Sequence, residues 1–235
     1  NKTTDAIIGS AFGSAGERCM AISVAVCVGK KTSENLKTKL LEETSKLNVG
    51  PYTDEKSDFG PLNNKAHYEK VLGYIDTGEK EGAKLLADGR NMKLQGYENG
   101  YFVGPTIFED VKPEMKIYKE EIFGPVLSMM TTDTYEDALK LVNDHELGNG
   151  AAVFTKSGMI AKHFTENAKI GMIGVNVPIP VPVAYHSFGG WKRSLFGDHS
   201  MHGPEGVRFY TKLKTATVTW SEDNSGPEFT IPVLS

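Results

Sequence analysis

Hydrophobic residues recur at helical spacing in several stretches of the chain. Leu36, Leu40, Leu41 and Leu47 follow this spacing within residues 33–47, and charged residues lie between them. Apolar positions three and four residues apart are typical of an amphipathic helix that packs one side against a core. The pattern predicts helices over residues 3–13, 33–47, 65–81, 135–143 and 160–167.

Runs of apolar and β-branched residues separate these helices. Residues 20–28 form the clearest run, and residues 118–131 form an extended region that Gly124 and Pro125 interrupt. Such runs, bounded by turn residues, predict strands. Shorter strands are expected at residues 83–86, 103–108, 151–154 and 172–177. Helices and strands therefore alternate as far as residue 177, which indicates an α/β fold.

The pattern changes after residue 177. The three prolines within residues 178–182 exclude regular structure there, because each lacks an N–H group and fixes φ. A glycine-rich loop follows at residues 188–190. Alternating threonine and lysine residues predict a lone strand over residues 207–220, and residues 221–235 are expected to form a tail.

Length and charge exclude two classes of protein. The chain has 235 residues and a formal net charge of -4, whereas neutralising several nucleic-acid phosphates requires a basic face. The longest apolar run, residues 20–28, is far shorter than the ~20 residues that span a bilayer. We therefore expect neither a nucleic-acid partner nor a membrane span.

The two cysteines, Cys19 and Cys27, do not form a disulfide scaffold, a CxxC redox pair or a zinc ribbon, which favours a reducing compartment. Cys27 lies within an apolar run and is interpreted as a core residue. Cys19 lies between the first helix and the first strand, with small residues before it and Arg18 beside it. A cation stabilises a thiolate, so this position suits a nucleophile. A buried structural cysteine is the alternative reading.

Two carboxylates, Glu120 and Glu121, precede Phe123 and the Gly124-Pro125 turn. Adjacent residues of a strand face opposite sides, so at most one of the two carboxylates enters a given site. Glu121 and Phe123 would share a face, and this pair suits a ligand with a hydroxylated sugar and a flat ring. The alternative is a solvated charge pair before a β-turn.

Neither a phosphate-binding loop nor a metal site is predicted. Residues 148–150 (GNG) lead into a strand rather than the helix that a dinucleotide-binding motif requires. Residues 29–30 (GK) lack the glycine that a phosphate-binding loop has five positions earlier. His199 and His202 are three residues apart, but the glycine and proline residues around them argue against a helix that presents both to a metal.

Four sequence motifs together resemble those of the aldehyde dehydrogenase superfamily in their order and approximate spacing. They surround Cys19 and occupy residues 120–126, 148–154 and 188–194, and the similarity runs from about residue 3 to residue 220.

Three further segments narrow the resemblance. Residues 16–21 (GERCMA), 99–106 (NGYFVGPT) and 174–182 (GVNVPIPVP) are most similar to the CoA-acylating subfamily that oxidises methylmalonate and malonate semialdehyde. The arginine directly before the nucleophile, Arg18 here, is the most specific of these features.

The resemblance implies a fold and a division of the chain. The fold is the catalytic domain of that superfamily, a Rossmann-like sheet with flanking helices, followed by an oligomerisation strand. Residues 1–200 would form this domain, residues 201–220 the oligomerisation segment and residues 221–235 a tail. The NAD-binding domain of the family would precede Asn1 and is not part of this sequence.

The resemblance also assigns roles to individual residues. Cys19 would attack the aldehyde, the thiohemiacetal would pass hydride to NAD, and the resulting thioester would lose CO2 and transfer its acyl group to CoA. The Cys19 N–H would form part of the oxyanion hole. Glu121 would hold the nicotinamide ribose and Phe123 would pack near the nicotinamide. Phe188 would line the substrate tunnel, and Arg18 would bind the carboxylate of the substrate.

Two other functions stay open. In the first alternative, the chain belongs to a hydrolytic, CoA-independent semialdehyde dehydrogenase. In the second, it is a non-catalytic fragment that takes part in subunit assembly. In either case residues 207–220 are expected to join a neighbouring subunit in a homo-oligomer, a dimer or a tetramer. The expected location is the cytoplasm of a bacterium or the mitochondrial matrix of a eukaryote.

Overall fold

The structure is a computed structural model that describes residues 2–218 and residue 220. Its helices are α1 (Lys2–Phe12), α2 (Lys30–Thr44), α3 (Lys65–Lys80), α4 (Lys116–Lys119), α5 (Tyr135–Asp144), α6 (Gly158–Asn167) and α7 (Gly203–Tyr210), and one 3-10 turn covers Gly13–Gly16. Its strands are β1 (Val24–Val28), β2 (Lys84–Ala87), β3 (Thr106–Glu109), β4 (Val126–Thr132), β5 (Leu147–Gly148), β6 (Gly150–Val153), β7 (Met172–Val175) and β8 (Trp191–Lys192).

The main sheet has four strands in the order β1-β4-β3-β2. β4 is parallel to both β1 and β3, and β2 is antiparallel at the edge. β6 pairs in parallel with β7, and β5 pairs with β8 in antiparallel orientation. Parallel strands joined through helices are the architecture of an α/β fold, so the predicted fold class is confirmed.

The core forms where the apolar faces of the helices meet this sheet. Leu40 of α2 and Val71 and Ile75 of α3 are fully buried, as are Phe108 of β3 and Leu127 of β4. Burying a side chain of this size contributes about 1.5–3 kcal/mol each. A smaller cluster around Phe164, Ala168 and Ile170 lies under α6.

Side-chain caps explain why several helices begin where they do. The side chains of Asn64, Thr134 and Ser157 accept hydrogen bonds from backbone N–H groups of the first turns of α3, α5 and α6. Such a bond satisfies a donor that has no partner inside the helix. The predicted helices at residues 65–81 and 135–143 therefore agree with α3 and α5 to within one residue at each end.

The strand predicted over residues 207–220 is wrong at its start, because residues 207–210 belong to α7. Pro204 occupies the first turn, where its fixed φ favours a helix. The Ser187 hydroxyl accepts a hydrogen bond from the Glu205 N–H at 3.3 Å. Residues 211–218 and 220 have no assigned strand pairing within the described chain, and residues 221–235 lie outside the described residues.

Among the described residues, no helix has the length and apolar character needed to cross a bilayer. The same residues contain no cluster of three His, Cys, Asp or Glu side chains that could hold a metal ion.

Candidate functional site

The turn that presents Cys19 depends on a left-handed backbone. After α1 the chain passes through Ser14, Ala15 and Gly16, with φ values of 54°, 55° and 71°. A Cβ atom on Gly16 would overlap the carbonyl oxygen of Gly124, so this position requires glycine. The close approach packs the turn directly against the segment that precedes β4.

Cys19 is exposed, and its backbone is held on both sides. The Ala21 N–H donates to the Arg18 carbonyl at 3.1 Å, which closes a β-turn with Cys19 at its second position. The Asn149 side-chain amide donates to the Cys19 carbonyl at 2.8 Å. The Cys19 N–H has no hydrogen-bond acceptor within residues 2–218 and 220. A fixed peptide therefore presents an accessible thiol and a free N–H donor.

Arg18 is exposed next to this thiol. Its Nε donates to the Ser14 hydroxyl at 3.1 Å, which fixes the start of the guanidinium group. Within the part of the chain that the structure describes, no carboxylate pairs with Arg18. The remaining guanidinium N–H groups are therefore available to an anionic ligand.

Cys27 has a contrasting environment in β1, as its interpretation as a core residue predicted. It is 3% exposed, and burial raises the pKa of its thiol to about 11, although a hydrogen bond with Ser33 opposes this shift. Both cysteines are free thiols. Of the two, Cys19 is the one that a substrate can reach.

Glu120 and Glu121 differ in their partners. The Tyr74 hydroxyl donates to the Glu120 carboxylate at 2.7 Å, and this bond, together with burial, raises the pKa of Tyr74 to about 12. Glu121 is exposed, and its carboxylate has no hydrogen-bond or ion-pair partner among the described residues. Glu121 is thus the carboxylate that is free to bind a ligand.

The reason for this difference is not the strand alternation that the sequence suggested. Glu120 is the C-cap residue that follows α4, and residues 121–125 form a loop that lacks strand pairing. Phe123 within this loop has a left-handed φ of 62°. Its ring is half-buried and meets the His67 ring edge-on, with the ring centres 6.2 Å apart.

His67 connects this loop to residues 14–21, the segment that we call the turn of Cys19. Its Nε2 lies 2.6 Å from the Phe123 carbonyl oxygen and 3.3 Å from a carboxylate oxygen of Glu17. His67 thereby links the segment that contains Arg18 and Cys19 to the loop that contains Glu121 and Phe123.

Phe188 lies on a separate loop and is half-buried. It pairs with Met201 through two backbone hydrogen bonds of 3.1 and 2.9 Å, and its ring stacks on His202 with the centres 5.1 Å apart. Its neighbour Gly189 packs closely against Gly171. The Gly171 N–H in turn donates to the carbonyl of Gly148, the residue before Asn149, at 3.0 Å. Phe188 is therefore joined to the turn of Cys19 through these backbone contacts and the Asn149 side chain.

Lys192 anchors the loop that follows Phe188. Its Nζ donates to the backbone carbonyls of Val142, Asn143 and His145 at 3.1, 3.0 and 2.9 Å. The last carbonyls of a helix have no partner inside it, and a cation near them is favourable. Burial is the main cause that lowers the pKa of Lys192.

Sequence reasoning missed three residues that organise this region, namely His67, Asn149 and Lys192. Each acts on a backbone carbonyl more than 45 positions away in the sequence. Of these three, His67 has a local signal in the sequence. Its spacing from Lys70 and Tyr74 places all three side chains on one face of α3.

A cavity of about 790 Å³ lies elsewhere, between the end of β4 and helices α4 and α5. Its lining includes Tyr118, Met130 and His145, but none of the five predicted site residues. The candidate site is instead an exposed surface of the described chain.

A family profile described as the aldehyde dehydrogenase family matches residues 1–216. The malonate-semialdehyde dehydrogenase of Pseudomonas aeruginosa is 51% identical over 236 residues, which cover 100% of this chain and 48% of that protein. The methylmalonate-semialdehyde/malonate-semialdehyde dehydrogenase (acylating), mitochondrial, of Bos taurus is 46% identical over 235 residues, or 99% of this chain and 43% of that protein. The chain thus spans about half the length of the curated relatives it matches.

The fold is similar to that of a solved protein described as a methylmalonate-semialdehyde dehydrogenase from Sinorhizobium meliloti 1021, complexed with NAD. The TM-score is 0.91 at 53% identity, and the match covers 95% of this chain and 45% of that one.

Proposed function

The chain belongs to the aldehyde dehydrogenase family, and we propose that it carries the nucleophile of an NAD-dependent, CoA-acylating dehydrogenase of methylmalonate and malonate semialdehyde. The observation that carries this proposal is the exposed Cys19 thiol in a fixed turn beside Arg18, a cation without a carboxylate partner in the described chain.

Cys19 supplies the nucleophile. Its thiolate adds to the aldehyde carbonyl and forms a C–S bond, while the carbonyl oxygen gains the negative charge. The Cys19 N–H, which lacks an acceptor among the described residues, donates to that oxygen as the charge develops. The β-turn and the Asn149 bond hold this donor in place before the substrate arrives, so it needs no reorganisation during the reaction.

Arg18 selects the semialdehyde by its carboxylate. A planar guanidinium forms paired, charge-assisted hydrogen bonds with a carboxylate. The bond from Nε to Ser14 orients the group without neutralising it. An aldehyde that lacks the carboxylate makes no such bonds and is bound more weakly.

The free Glu121 carboxylate and the adjacent Phe123 ring fit the ribose and nicotinamide of NAD, and the similar protein from Sinorhizobium meliloti was solved with NAD. A carboxylate accepts hydrogen bonds from ribose hydroxyls, and an aromatic ring packs against a flat heterocycle. NAD, when bound, accepts the hydride of the substrate. Phe188 supplies an apolar wall for the carbon chain of the substrate.

CoA is the proposed acceptor of the acyl group, as the word "acylating" in the name of the Bos taurus relative supports. Oxidation leaves a thioester on Cys19 that still carries the carboxylate of the substrate. Loss of CO2 with uptake of a proton shortens this acyl group. The CoA thiol then attacks the thioester carbonyl, which forms propionyl-CoA or acetyl-CoA and releases the Cys19 thiol.

Replacement of Cys19 in the full-length protein tests this function. Cys19→Ala removes the nucleophile, so NADH formation from methylmalonate semialdehyde should fall by at least about 10³-fold. Cys27→Ala is the matched control because it removes the other thiol, and its activity per folded molecule should stay close to wild type. Retained turnover in Cys19→Ala would show that another residue is the nucleophile.

The acceptor is tested separately by product analysis of the wild-type protein with and without CoA. An acyl-CoA product is expected. Formation of the free acid alone, at a rate independent of CoA, would instead identify a hydrolytic dehydrogenase.

We also propose that the protein forms a homo-oligomer, a dimer or a tetramer, through residues 207–220. Leu213, Val218 and Trp220 are 97%, 66% and 91% exposed in this segment. Such apolar side chains favour burial against a second subunit.

The proposed location is the cytoplasm in a bacterium or the mitochondrial matrix in a eukaryote, as for the mitochondrial relative from Bos taurus.

A further inference from the structure

One face of α3 carries three hydrogen-bond donors, His67, Lys70 and Tyr74. Residues three and four positions apart lie on the same side of a helix. These donors bind the segment of residues 120–123 in reverse order along the chain. The acceptors are the Glu120 carboxylate for Tyr74 at 2.7 Å, the Glu121 carbonyl for Lys70 at 3.3 Å and the Phe123 carbonyl for His67 at 2.6 Å.

This arrangement holds the backbone at the carbonyls of Glu121 and Phe123 and leaves the Glu121 carboxylate without a partner in the described chain. Holding the backbone at these two carbonyls fixes the direction in which the Glu121 side chain leaves the loop. The donors of α3 therefore position the residue that the proposed function assigns to the nicotinamide ribose.

His67 differs from the other two donors because it also contacts the turn of Cys19. The same Nε2 atom that bonds to Phe123 lies 3.3 Å from the Glu17 carboxylate. The Phe123 carbonyl oxygen can only accept a hydrogen bond, so this nitrogen carries the hydrogen. The His67 and Glu17 side chains are 16% and 19% exposed, which limits competition from water.

The backbones of the two segments meet at the same junction. Gly16 approaches Gly124 so closely that no Cβ fits between them. Val71, one helical turn after His67, also packs against Gly124. A displacement of His67 would therefore change the spacing between the nucleophile turn and the segment that contains Glu121.

We propose that His67 is a positioning residue, which sets the distance between the Cys19 thiol and the nicotinamide ribose bound by Glu121 by holding Glu17 and Phe123 together. The inference rests on the proposed function. Transfer of hydride requires the reacting atoms to lie about 3–3.5 Å apart, and a misplacement of about 1 Å costs on the order of 10²-fold in rate. His67 touches neither reacting atom and acts through its two neighbours.

The test compares His67→Leu with His67→Gln in the full-length protein, assayed with NAD and semialdehyde. Leu fills a similar volume without a donor, whereas the Gln amide places an N–H donor close to the position of Nε2. We expect His67→Leu to lower kcat about 10- to 100-fold and to raise KM for NAD more than KM for the aldehyde. His67→Gln should recover most of this loss.

An isotope effect separates positioning from general damage to the fold. With semialdehyde deuterated at its aldehyde carbon, His67→Leu should show a larger kinetic isotope effect than wild type, because hydride transfer has become slower. His163→Leu is the matched control, since this exposed histidine also bonds to a neighbouring side chain, Tyr135, but lies on α6. It should leave kcat and the isotope effect unchanged.

Each outcome bears on a different claim. Wild-type protein that forms no NADH would overturn the proposed function. Active wild type together with unchanged kcat and isotope effect in His67→Leu would overturn the positioning role alone. If His67→Leu does not fold, His67→Ala replaces it, with the same expected loss of kcat and the same contradicting result. A folded His67→Gln that is as impaired as Cys19→Ala would also contradict the inference.

Discussion

The turn of Cys19 and the segment after α7 are both exposed, but they differ in what holds them. The turn is fixed by its own β-turn, by Asn149 and by the contact of Gly16 with Gly124. Residues 212–218 make no hydrogen bond with the rest of the described chain. Exposure alone therefore does not identify a reactive site. The difference that matters for the proposed function is a fixed backbone under the exposed thiol, because it holds a reacting group in position at no further entropic cost.

Substitution of Gly16 would break this comparison with the largest effect. Gly16→Ala places a Cβ against the Gly124 carbonyl and strains a left-handed residue, so it should cost about 1–3 kcal/mol in free energy of unfolding. It should also lower NADH formation at least about tenfold, because the two segments are forced apart. Chemical denaturation and steady-state kinetics measure the two effects.

The matched control is Gly9→Ala in the middle of α1. A Cβ on Gly9 meets no atom within 4 Å, and alanine is the better helix former by about 1 kcal/mol. This variant should be slightly more stable than wild type and equally active. Equal stability and activity in both glycine variants would refute the close approach at Gly16.

Substitution of Leu213 tests the other region, the exposed segment after α7, and has the smallest expected effect. Leu213 is 97% exposed, so Leu213→Ser should change the free energy of unfolding by less than about 0.5 kcal/mol in dilute solution. It should weaken self-association, which analytical ultracentrifugation detects. A loss of stability greater than about 1 kcal/mol in the monomer would mean that the segment packs on its own chain.

The same contrast explains how much the sequence predicts. The helices α3 and α5 follow from periodicity and a neighbouring cap, both of which are local. The start of α7 depends on Ser187, which is 18 positions from Glu205, and the alternation at residues 207–210 suggested a strand instead. Local pattern has no access to a cap supplied by a distant loop.

The candidate site shows the same division. The local sequence singles out Cys19 with Arg18 and Glu121 with Phe123, and the resemblance to a family adds Phe188 and the individual roles. The structure adds which of these residues lie on segments that contact each other. Glu120 differs from Glu121 because Tyr74, 46 positions away, donates to the Glu120 carboxylate. The link through His67 joins residues 56 positions apart and leaves no trace in the spacing of motifs.

The central claim is that the substrate becomes covalently attached to Cys19. The direct measurement is mass spectrometry of full-length protein that has been incubated with methylmalonate semialdehyde and NAD without CoA, quenched in acid and digested with trypsin. Residues 19–30 form one tryptic peptide with both cysteines, so fragment ions locate any adduct. We predict a propionyl group on Cys19 that disappears when CoA is added before the quench. Formation of NADH with no adduct on Cys19, or with the adduct on another residue, would contradict this account.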